Sequence, residues 1–485
     1  MDIGTSSSKA VVIGAGGAQL GIGRAPHAVR SPQEGWAESD PADWWRSVTA
    51  AVQEAFGQAA RTGELRSRVG AIGLSGQMHG AVLADERGEA VRPAVLWADE
   101  RAEIEFGRYA RLDGPSLRSL ANPLVAGMTG PVLCWLAEFE KDVFSRASWA
   151  LQCKDWLRLR LTGIAGSEPT DASGTLLFDL PELRWAAEVA SCLGISPSLF
   201  APLGGSTAPA GELTPDAAGA LGLRPGVPVV YGAADTAAAI VGNGVTEPGE
   251  IALTVGTAAQ LVTLRAQAGP DPGLRYHLFA AARGGYYALA AVQAVGLAFD
   301  WAWATLGCDW PTAYSALAES PPGANGVSFV PHVAGARSPR MDARASGSFA
   351  GLRLHTRRAD VVRAVFEGVA FSVLEAALCL PEYAGASQVL LAGGGSTDPR
   401  WRQLLADVIG RPLVVLPAAD ASARGAALLA AAAAGIEVAG GPHPAGGPDV
   451  VQPAGGVAGR LGGAYELWCE RASALGVAGP ARGAS

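Results

Sequence analysis

Lysine is almost missing from this chain. Of 485 residues only Lys9, Lys141 and Lys154 are lysine, and arginine supplies the other positive charges. With a formal net charge of -8 and no lysine cluster, a general nucleic-acid or anionic-membrane surface is excluded as an expectation. The six cysteines, at 134, 153, 192, 308, 379 and 469, form no Cys-x-x-Cys pair. Neither a zinc site nor a disulfide framework is therefore expected, and a reducing cytoplasm is. No basic stretch followed by an apolar one opens the chain, so no signal peptide is expected. The longest apolar run, Gly425 to Ile436, is too short and too rich in alanine to span a bilayer. A Gly-x-x-x-x-Gly-Lys-Ser/Thr loop is absent, which excludes a P-loop enzyme. Gly14-Ala15-Gly16-Gly17-Ala18-Gln19 fails as a dinucleotide fingerprint, because Gln stands at the third glycine and a strand follows.

What remains is an ordinary globular composition, 49% hydrophobic and 17% charged, in a chain too long for one core. Two domains are expected. Within it, a tight turn of small, hydroxyl-bearing residues occurs twice, roughly half the chain apart. The first, Asp2-Ile3-Gly4-Thr5-Ser6-Ser7-Ser8-Lys9, runs into Ala10-Val11-Val12-Ile13. The second, Leu253-Thr254-Val255-Gly256-Thr257-Ala258-Ala259-Gln260, runs into Leu261-Val262-Thr263-Leu264. Glycine tolerates backbone angles that line up successive N–H groups, and Thr or Ser adds a donor without bulk, so such turns suit phosphate oxygens. One per half suggests a duplicated architecture closing on one nucleotide. Asp2 adds a carboxylate suited to Mg²⁺ beside phosphates, with an Asx turn as the alternative role. A strand should lead into this turn, yet only Met1 precedes Asp2, so that strand is expected to be truncated or to begin upstream.

Periodicity predicts a first hairpin with its loop at Gly14–Gly17, and a helix from Trp44 to Ala60 entered through Ser39-Asp40-Pro41. Short strands are expected at Val69–Leu74, Ala81–Ala84, Gly226–Gly232, Gln388–Leu391 and Leu413–Leu416. Helices dominate from Arg101 to Leu161 and recur at Val361–Cys379, Pro399–Ile409 and Ala423–Gly435. Gly440 to Gly463 reads as a surface loop, Ala464 to Leu475 as a last helix, and the residues beyond as a frayed end. Strand-turn-strand units followed by crossover helices, twice over, point to two α/β domains facing a cleft, divided near Ala239 to Gly249.

Asp235 stands where an apolar strand stops and a helix begins, among Gly232, Ala233, Ala234 and Ala237. Small neighbours let a hydroxyl approach the carboxylate, so Asp235 is a candidate general base; a plain helix N-cap is the alternative. Ser75-Gly76-Gln77-Met78-His79-Gly80 packs an amide, a thioether and an imidazole between glycines, as a polar pocket would need. The other five histidines have no comparable surroundings. Trp97-Ala98-Asp99-Glu100-Arg101 offers a flat wall and charged groups, or else an aromatic plug with a surface ion pair. Ala392-Gly393-Gly394-Gly395-Ser396-Thr397-Asp398 joins a strand to a helix whose first amides suit a phosphate or the adenosine side of a nucleotide.

In order along the chain, these segments resemble the FGGY carbohydrate kinases, most closely the xylulokinases among them, from Asp2 to about Gly435. Asp2-x-Gly4-Thr5-Ser6 resembles the first phosphate motif and Ser75–Gly80 the sugar motif, with Trp97, Asp99 and Arg101 in the next block. Lys154 to Gly163 and Thr170 to Thr175 are similar to two more. Asp235 falls on the catalytic aspartate, Gly256-Thr257 on the second phosphate motif, and Gly393-Gly394-Gly395 on the adenosine loop. The chain departs from the pattern at Thr236 (often Asn), at Ala336 (usually Glu), at Arg340-Met341 and at Ala258-Ala259.

The resemblance implies two actin/hexokinase-like (ribonuclease H-like) α/β domains facing a central cleft. A sugar-binding domain would occupy 1–240 and a nucleotide-binding domain 241–440, with a Gly/Pro-rich loop and C-terminal helix in 441–485. It implies ATP-dependent phosphorylation of D-xylulose. Asp235 and Asp2 would be catalytic, with Asp2 also organising Mg²⁺. Gln77, Met78, His79, Trp97 and Asp235 would face the sugar. Gly4, Thr5, Ser6, Gly256, Thr257, Gly394, Gly395 and Ser396 would hold ATP. A small ketose and ATP are the implied partners, a homodimer is compatible, and nucleic acid and membrane are not implied. Another sugar or polyol, gluconate or ribulose, is the same-class alternative. A non-catalytic sugar- or nucleotide-binding regulator is the different-class one, and retention of both Asp2 and Asp235 argues against it. An actin-like filament or chaperone ATPase would leave the sugar segments without a purpose.

Overall fold

The structure, a computed structural model, describes residues 1–58, 62–416, 420–438 and 449–475. Its two main sheets are built on one plan. In the first, five strands run in the order Ala233–Ala234, Ser75–Gly76, Asp2–Ile3, Ser7–Ile13, Gln19–Pro26. In the second, seven strands run His277–Ala280, Tyr286–Val292, Ala259–Arg265, Ile251–Val255, Val389–Ala392, Leu413–Val415, Asp449–Val451. Each begins with a strand that pairs antiparallel with its successor across a hydroxyl-bearing turn. That same strand pairs parallel, on its other side, with one reached only after a long crossover. The turns thus occupy equivalent places in two copies of one topology.

Local chemistry explains the elements. The hairpin Ser7–Ile13/Gln19–Pro26 turns at Gly14–Gly17, with Gly17 at φ 80°, and lays its face under the helix Pro41–Gln58. Gly23 is needed there, because a Cβ would run into the Ala51 carbonyl. The helix Arg358–Leu378 has an apolar pattern nearly all the way round and is buried accordingly, with Phe366 amid Phe299, Trp303, Tyr314 and Trp401.

The two halves meet through small residues. Helix Asp235–Gly242 lies against helix Ala421–Ala433 so closely that a Cβ on Gly242 would meet the Ala421 carbonyl, and one on Gly425 the Ala238 carbonyl. The alanine-rich composition of residues 421–433 is what allows this approach. One apolar cluster runs continuously from Met78, Ala233 and Ala237 into Ala252, Leu289, Val414 and Leu429, so the halves share a core beneath their cleft.

The expected elements are found with shifted ends. The helix expected at Trp44–Ala60 is Pro41–Gln58, with Ala59 and Ala60 outside the described residues. The strand expected at Val69–Leu74 is a bridge at Ile72, with strand pairing at Ser75–Gly76 beyond it; Gly73 between them packs on Ala426 too closely for a Cβ. The surface loop expected at Gly440–Gly463 needs correction: 439–448 lie outside the described residues, but Asp449–Val451 adds an edge strand. The last helix starts at Ala458 rather than Ala464. The frayed end expected after Leu475 lies outside the described residues. Among the described residues no helix is long and apolar enough to cross a membrane.

Candidate active site

Strand register assembles the centre of the cleft. Asp2 stands opposite Lys9 on one side and Ser75 on the other, and Ser75 stands opposite Ala233, two residues before Asp235. The strand expected to lead into the first turn is only Asp2–Ile3, yet it is fixed at its start: the Met1 ammonium donates to Gly73 O at 2.9 Å and Ser75 N donates to Met1 O at 2.9 Å. Asp2 is buried. Its Oδ1 accepts from Ser75 Oγ at 3.0 Å and its Oδ2 from Ser422 Oγ at 2.7 Å, so one carboxylate is held by both halves.

Asp235 is the first residue of its helix. The N-cap position belongs to Ala234, which makes no side-chain cap, so the plain N-cap alternative fails. Its Oδ1 accepts from Thr236 N at 2.5 Å and Thr236 Oγ1 at 3.1 Å, and no cation pairs with it among the described residues. Burial, and then the neighbouring charge of Asp2, push its carboxyl up to about 6, against the pull of Thr236 and Lys9. The two carboxylates therefore feel each other across one space. Lys9 enters it too, 3.4 Å from Asp420.

Behind Asp235 lies a buried ionic knot. The Lys154 ammonium is 2.7 Å from Asp155, 3.1 Å from Glu168 and 3.0 Å from Asp171, all without solvent exposure. Burial alone would push this ammonium down; the three acids outweigh it and hold it above its ordinary value. Thr170 Oγ1 donates to Glu168 at 2.6 Å and accepts from Ala234 N at 2.8 Å, which pins the residue before Asp235. The same segment ends at Gly174, whose carbonyl receives His79 Nδ1 at 2.8 Å. Residues 168–174 thus support both the candidate base and the His79 imidazole.

His79 adopts φ 78°, a strained left-handed conformation for a side-chain-bearing residue. Burial pushes its imidazole down to about 4, with Arg337 adding to the effect, so it is neutral near pH 7. A carbonyl only accepts, so Nδ1 carries the proton and Nε2 keeps its lone pair for a hydroxyl. Met78 is buried, its sulfur accepting from Tyr287 OH at 3.5 Å. Gln77 is buried, with Nε2 3.4 Å from Gly4 O and Oε1 without a hydrogen-bond partner among the described residues. Half-buried Trp97 donates from Nε1 to Thr5 Oγ1 at 3.0 Å, joining this segment to the first hydroxyl turn. Asp99 and Arg101 form no surface ion pair. They are fully buried with Glu38, and Arg101 lies 3.5 Å over the Trp36 ring, so they brace the wall from behind.

In the two hydroxyl turns, Gly4 N donates to Ser7 O at 3.0 Å and Gly256 N to Ala258 O at 2.8 Å, the same closure in both. Ser6 and Thr257 are exposed at their tips. Gly394 and Gly395 are exposed as well, with open space above Gly394. Gly393 has φ 99°, and a Cβ there would collide with the Val255 carbonyl, so this loop packs on the second turn. Ser396 is turned inward and donates to Gly393 O at 2.9 Å. The following helix, Pro399–Ile409, is already capped by Asp398, which accepts from Arg400 N at 2.9 Å. A phosphate at that terminus would meet a carboxylate, so the open glycine backbone is what this loop offers.

Sequence reasoning passes over several groups. His27 lacks telling neighbours along the chain, but its Nε2 lies 3.2 Å from Gly4 O and 3.1 Å from Thr5 O, where it props the first turn. His277 stacks on Phe279 at 5.5 Å, beside His79. Ser422 and Arg337 carry no local signal; only the fold brings them in. A largely apolar cavity of about 410 Å³, lined by Val12, Phe56, Ala430 and Ile436, reaches Met1 and Gly73 but none of the candidate site side chains. No cluster of three metal-ligating side chains occurs among the described residues. Asp2 is a lone acid beside a phosphate turn, which fits a magnesium ion carried mainly by the nucleotide's own phosphates.

A duplicated sheet, a hydroxyl turn in each copy and a carboxylate pair between them are the frame of a two-domain, actin/hexokinase-like sugar kinase. The sequence agrees: residues 1–242 match the N-terminal domain and residues 251–434 the C-terminal domain of the FGGY family of carbohydrate kinases. The chain belongs to that family. It is 33% identical over 438 residues to a xylulose kinase of Streptomyces rubiginosus, covering 89% of this chain and 86% of that one. The crystal structure of a xyloylose kinase from Brucella ovis superposes with a TM-score of 0.89 at 30% identity, over 98% of both chains. That of a gluconate kinase from Lactobacillus acidophilus does so with a TM-score of 0.90 at 25% identity, over 99% of this chain and 98% of that one. The protein is a carbohydrate kinase, with ATP and a sugar as its substrates.

Proposed function

We propose that this kinase phosphorylates D-xylulose to D-xylulose 5-phosphate, with residues 1–240 holding the sugar and 241–440 the nucleotide. The observation that carries the reading is the Asp235 carboxylate: unpaired by any cation among the described residues, raised to about 6 by burial and by Asp2, which lies on the same sheet one strand beyond Ser75–Gly76. Asp235 takes the proton of the terminal hydroxyl as its oxygen bonds to the γ-phosphorus and ADP leaves. Asp2, fixed by Ser75 and Ser422, faces the phosphates and would hold Mg²⁺, whose charge neutralises the developing negative charge. His79 Nε2 accepts a sugar hydroxyl, and Trp97 packs on the carbon chain. Ser6, Thr257 and the Gly394–Gly395 backbone cradle ATP. Relatives named for xylulose support the ketose. The free cysteines at 134, 153, 192, 308, 379 and 469 support a cytoplasmic setting.

The test is ADP release with Mg·ATP over a panel of ketoses, aldonates and polyols. D-xylulose is expected to give the highest kcat/KM, and Asp235→Ala to abolish sugar-dependent release. A panel in which no sugar stimulates ADP release would refute the kinase reading of this site.

A further inference from the structure

The strand Ala233–Ala234 forms one edge of the first sheet. Ala233 N donates inward, to Leu74 O at 3.0 Å, beside the neighbouring strand Ser75–Gly76. Successive amides of a strand point to opposite sides, so Ala234 N points outward, where the sheet ends. Ala234 is fully buried, and a buried N–H without an acceptor is unfavourable. Its acceptor is a side chain from another element, Thr170 Oγ1, at 2.8 Å.

Thr170 is free to accept because Glu168 takes its proton. A hydroxyl has one proton and two lone pairs. Thr170 Oγ1 donates to Glu168 at 2.6 Å, which leaves a lone pair for Ala234 N. Glu168 acts as an acceptor throughout: it also receives Thr170 N at 2.9 Å, Asp171 N at 3.1 Å and Ser206 Oγ at 2.9 Å, and the Lys154 ammonium lies 3.1 Å away. The Ser206 carbonyl in turn accepts from Gly232 N at 3.0 Å. One buried carboxylate therefore orders the acceptors of residues 232 and 234, while the sheet holds 233. Asp235, the next residue, is half-buried, and its carboxylate receives its hydrogen bonds from adjacent Thr236, which gives it no tie to the rest of the fold. Its place is set through its backbone.

We propose that Thr170, its hydroxyl oriented by Glu168, is a positioning residue for phosphoryl transfer: it fixes the backbone from which Asp235 reaches the acceptor hydroxyl. The inference rests on Asp235 as the base. Consecutive Cα atoms stay about 3.8 Å apart, so freedom gained at Ala234 passes directly to Asp235. A displacement of about 1 Å at a reacting group costs on the order of 100-fold in rate. Thr170 and Glu168 have no exposed surface, so neither offers a substrate contact, and the effect falls on the chemical step rather than on binding.

The test compares Thr170→Val, which keeps the shape without the hydroxyl, with Thr170→Ser, which keeps the hydroxyl; Thr170→Ala is a second hydroxyl-free variant. With Mg·ATP and D-xylulose, Thr170→Val is expected to lose about 10- to 100-fold in kcat, with both KM values within about twofold, while Thr170→Ser keeps most of kcat. Hydrogen exchange of the backbone amides 232–236, followed by mass spectrometry without substrate, is expected to quicken about tenfold in Thr170→Val and to stay unchanged in Thr170→Ser. A role confined to stability would lower Tm and leave kcat of the folded enzyme intact. Unchanged kcat in both hydroxyl-free variants, a change in KM alone, a serine that fails to restore kcat, or unchanged exchange would each overturn the assignment, and the exchange result decides it without turnover. Asp235→Ala separates this role from the reading beneath it. Full turnover in Asp235→Ala removes the base itself; a dead Asp235→Ala beside a fully active Thr170→Val removes only the positioning role.

Discussion

Replacing Asp235 by asparagine should make the protein more stable and catalytically dead at the same time. The carboxylate is raised from 3.8 to about 6, by burial first and Asp2 second. A shift of roughly 2 units corresponds to about 3 kcal/mol, so ionised Asp235 destabilises the folded state at pH 8 by up to that amount. An asparagine side chain keeps the oxygen that accepts from Thr236 N and Oγ1 while removing the charge facing Asp2. The sign follows from the raised value. A proton is held more tightly in the folded state, so the contribution favours folding below pH 3.8 and is lost as pH rises through about 6. The Asp235→Asn variant should therefore gain about 1–3 kcal/mol at pH 8, a Tm rise of several degrees, and progressively less as pH is lowered towards 4. Over the same range kcat/KM of the unmodified enzyme should fall on the acid side with a midpoint near 6, because the base must be ionised. The variant should lose at least about 100-fold in kcat. Paired thermal melts at pH 5 and 8, with a pH–rate profile, decide it. A variant that is less stable at pH 8, or an acid limb centred near 4, would refute the electrostatic account of this residue.

Further consequences concern its supports. Lys154→Met leaves Asp155, Glu168 and Asp171 buried without their cation and should destabilise by about 3–5 kcal/mol, read by chemical denaturation. Gly393→Ala forces a methyl group against the Val255 carbonyl at a positive φ; it should raise KM for ATP several-fold while leaving KM for sugar nearly unchanged. Ser422→Ala frees one oxygen of Asp2 and should lower kcat/KM for ATP by about 10- to 100-fold with little change in Tm, the scale of one hydrogen bond to a charged group.

Much of the site is legible along the chain because its chemistry is local. A hydroxyl turn is a few consecutive small residues, and a carboxylate at a strand-to-helix junction is a composition pattern, so Gly4–Ser6, Gly256–Thr257 and Asp235 can be named as candidates from the sequence. What the sequence leaves open is settled by partners both distant and near along the chain. The amide nitrogen of Gln77 lies beside the Gly4 carbonyl, 73 positions earlier. The helix terminus after Gly395 looks open to phosphate until the side chain of Asp398 is seen to cap it.

The amino-acid order alone determined the duplicated plan, the hydroxyl turns and the carboxylates available for chemistry, since backbone preference and hydrophobic period act over short stretches. Only the tertiary structure decided which groups share the cleft. It brought Ser422 to Asp2 across 420 positions, set His79 in a strained conformation against Gly174, and left Arg337 beside Trp97 without an acid. Burial and charge pairing depend on neighbours in space, and those come from the packing of two halves through glycine and alanine.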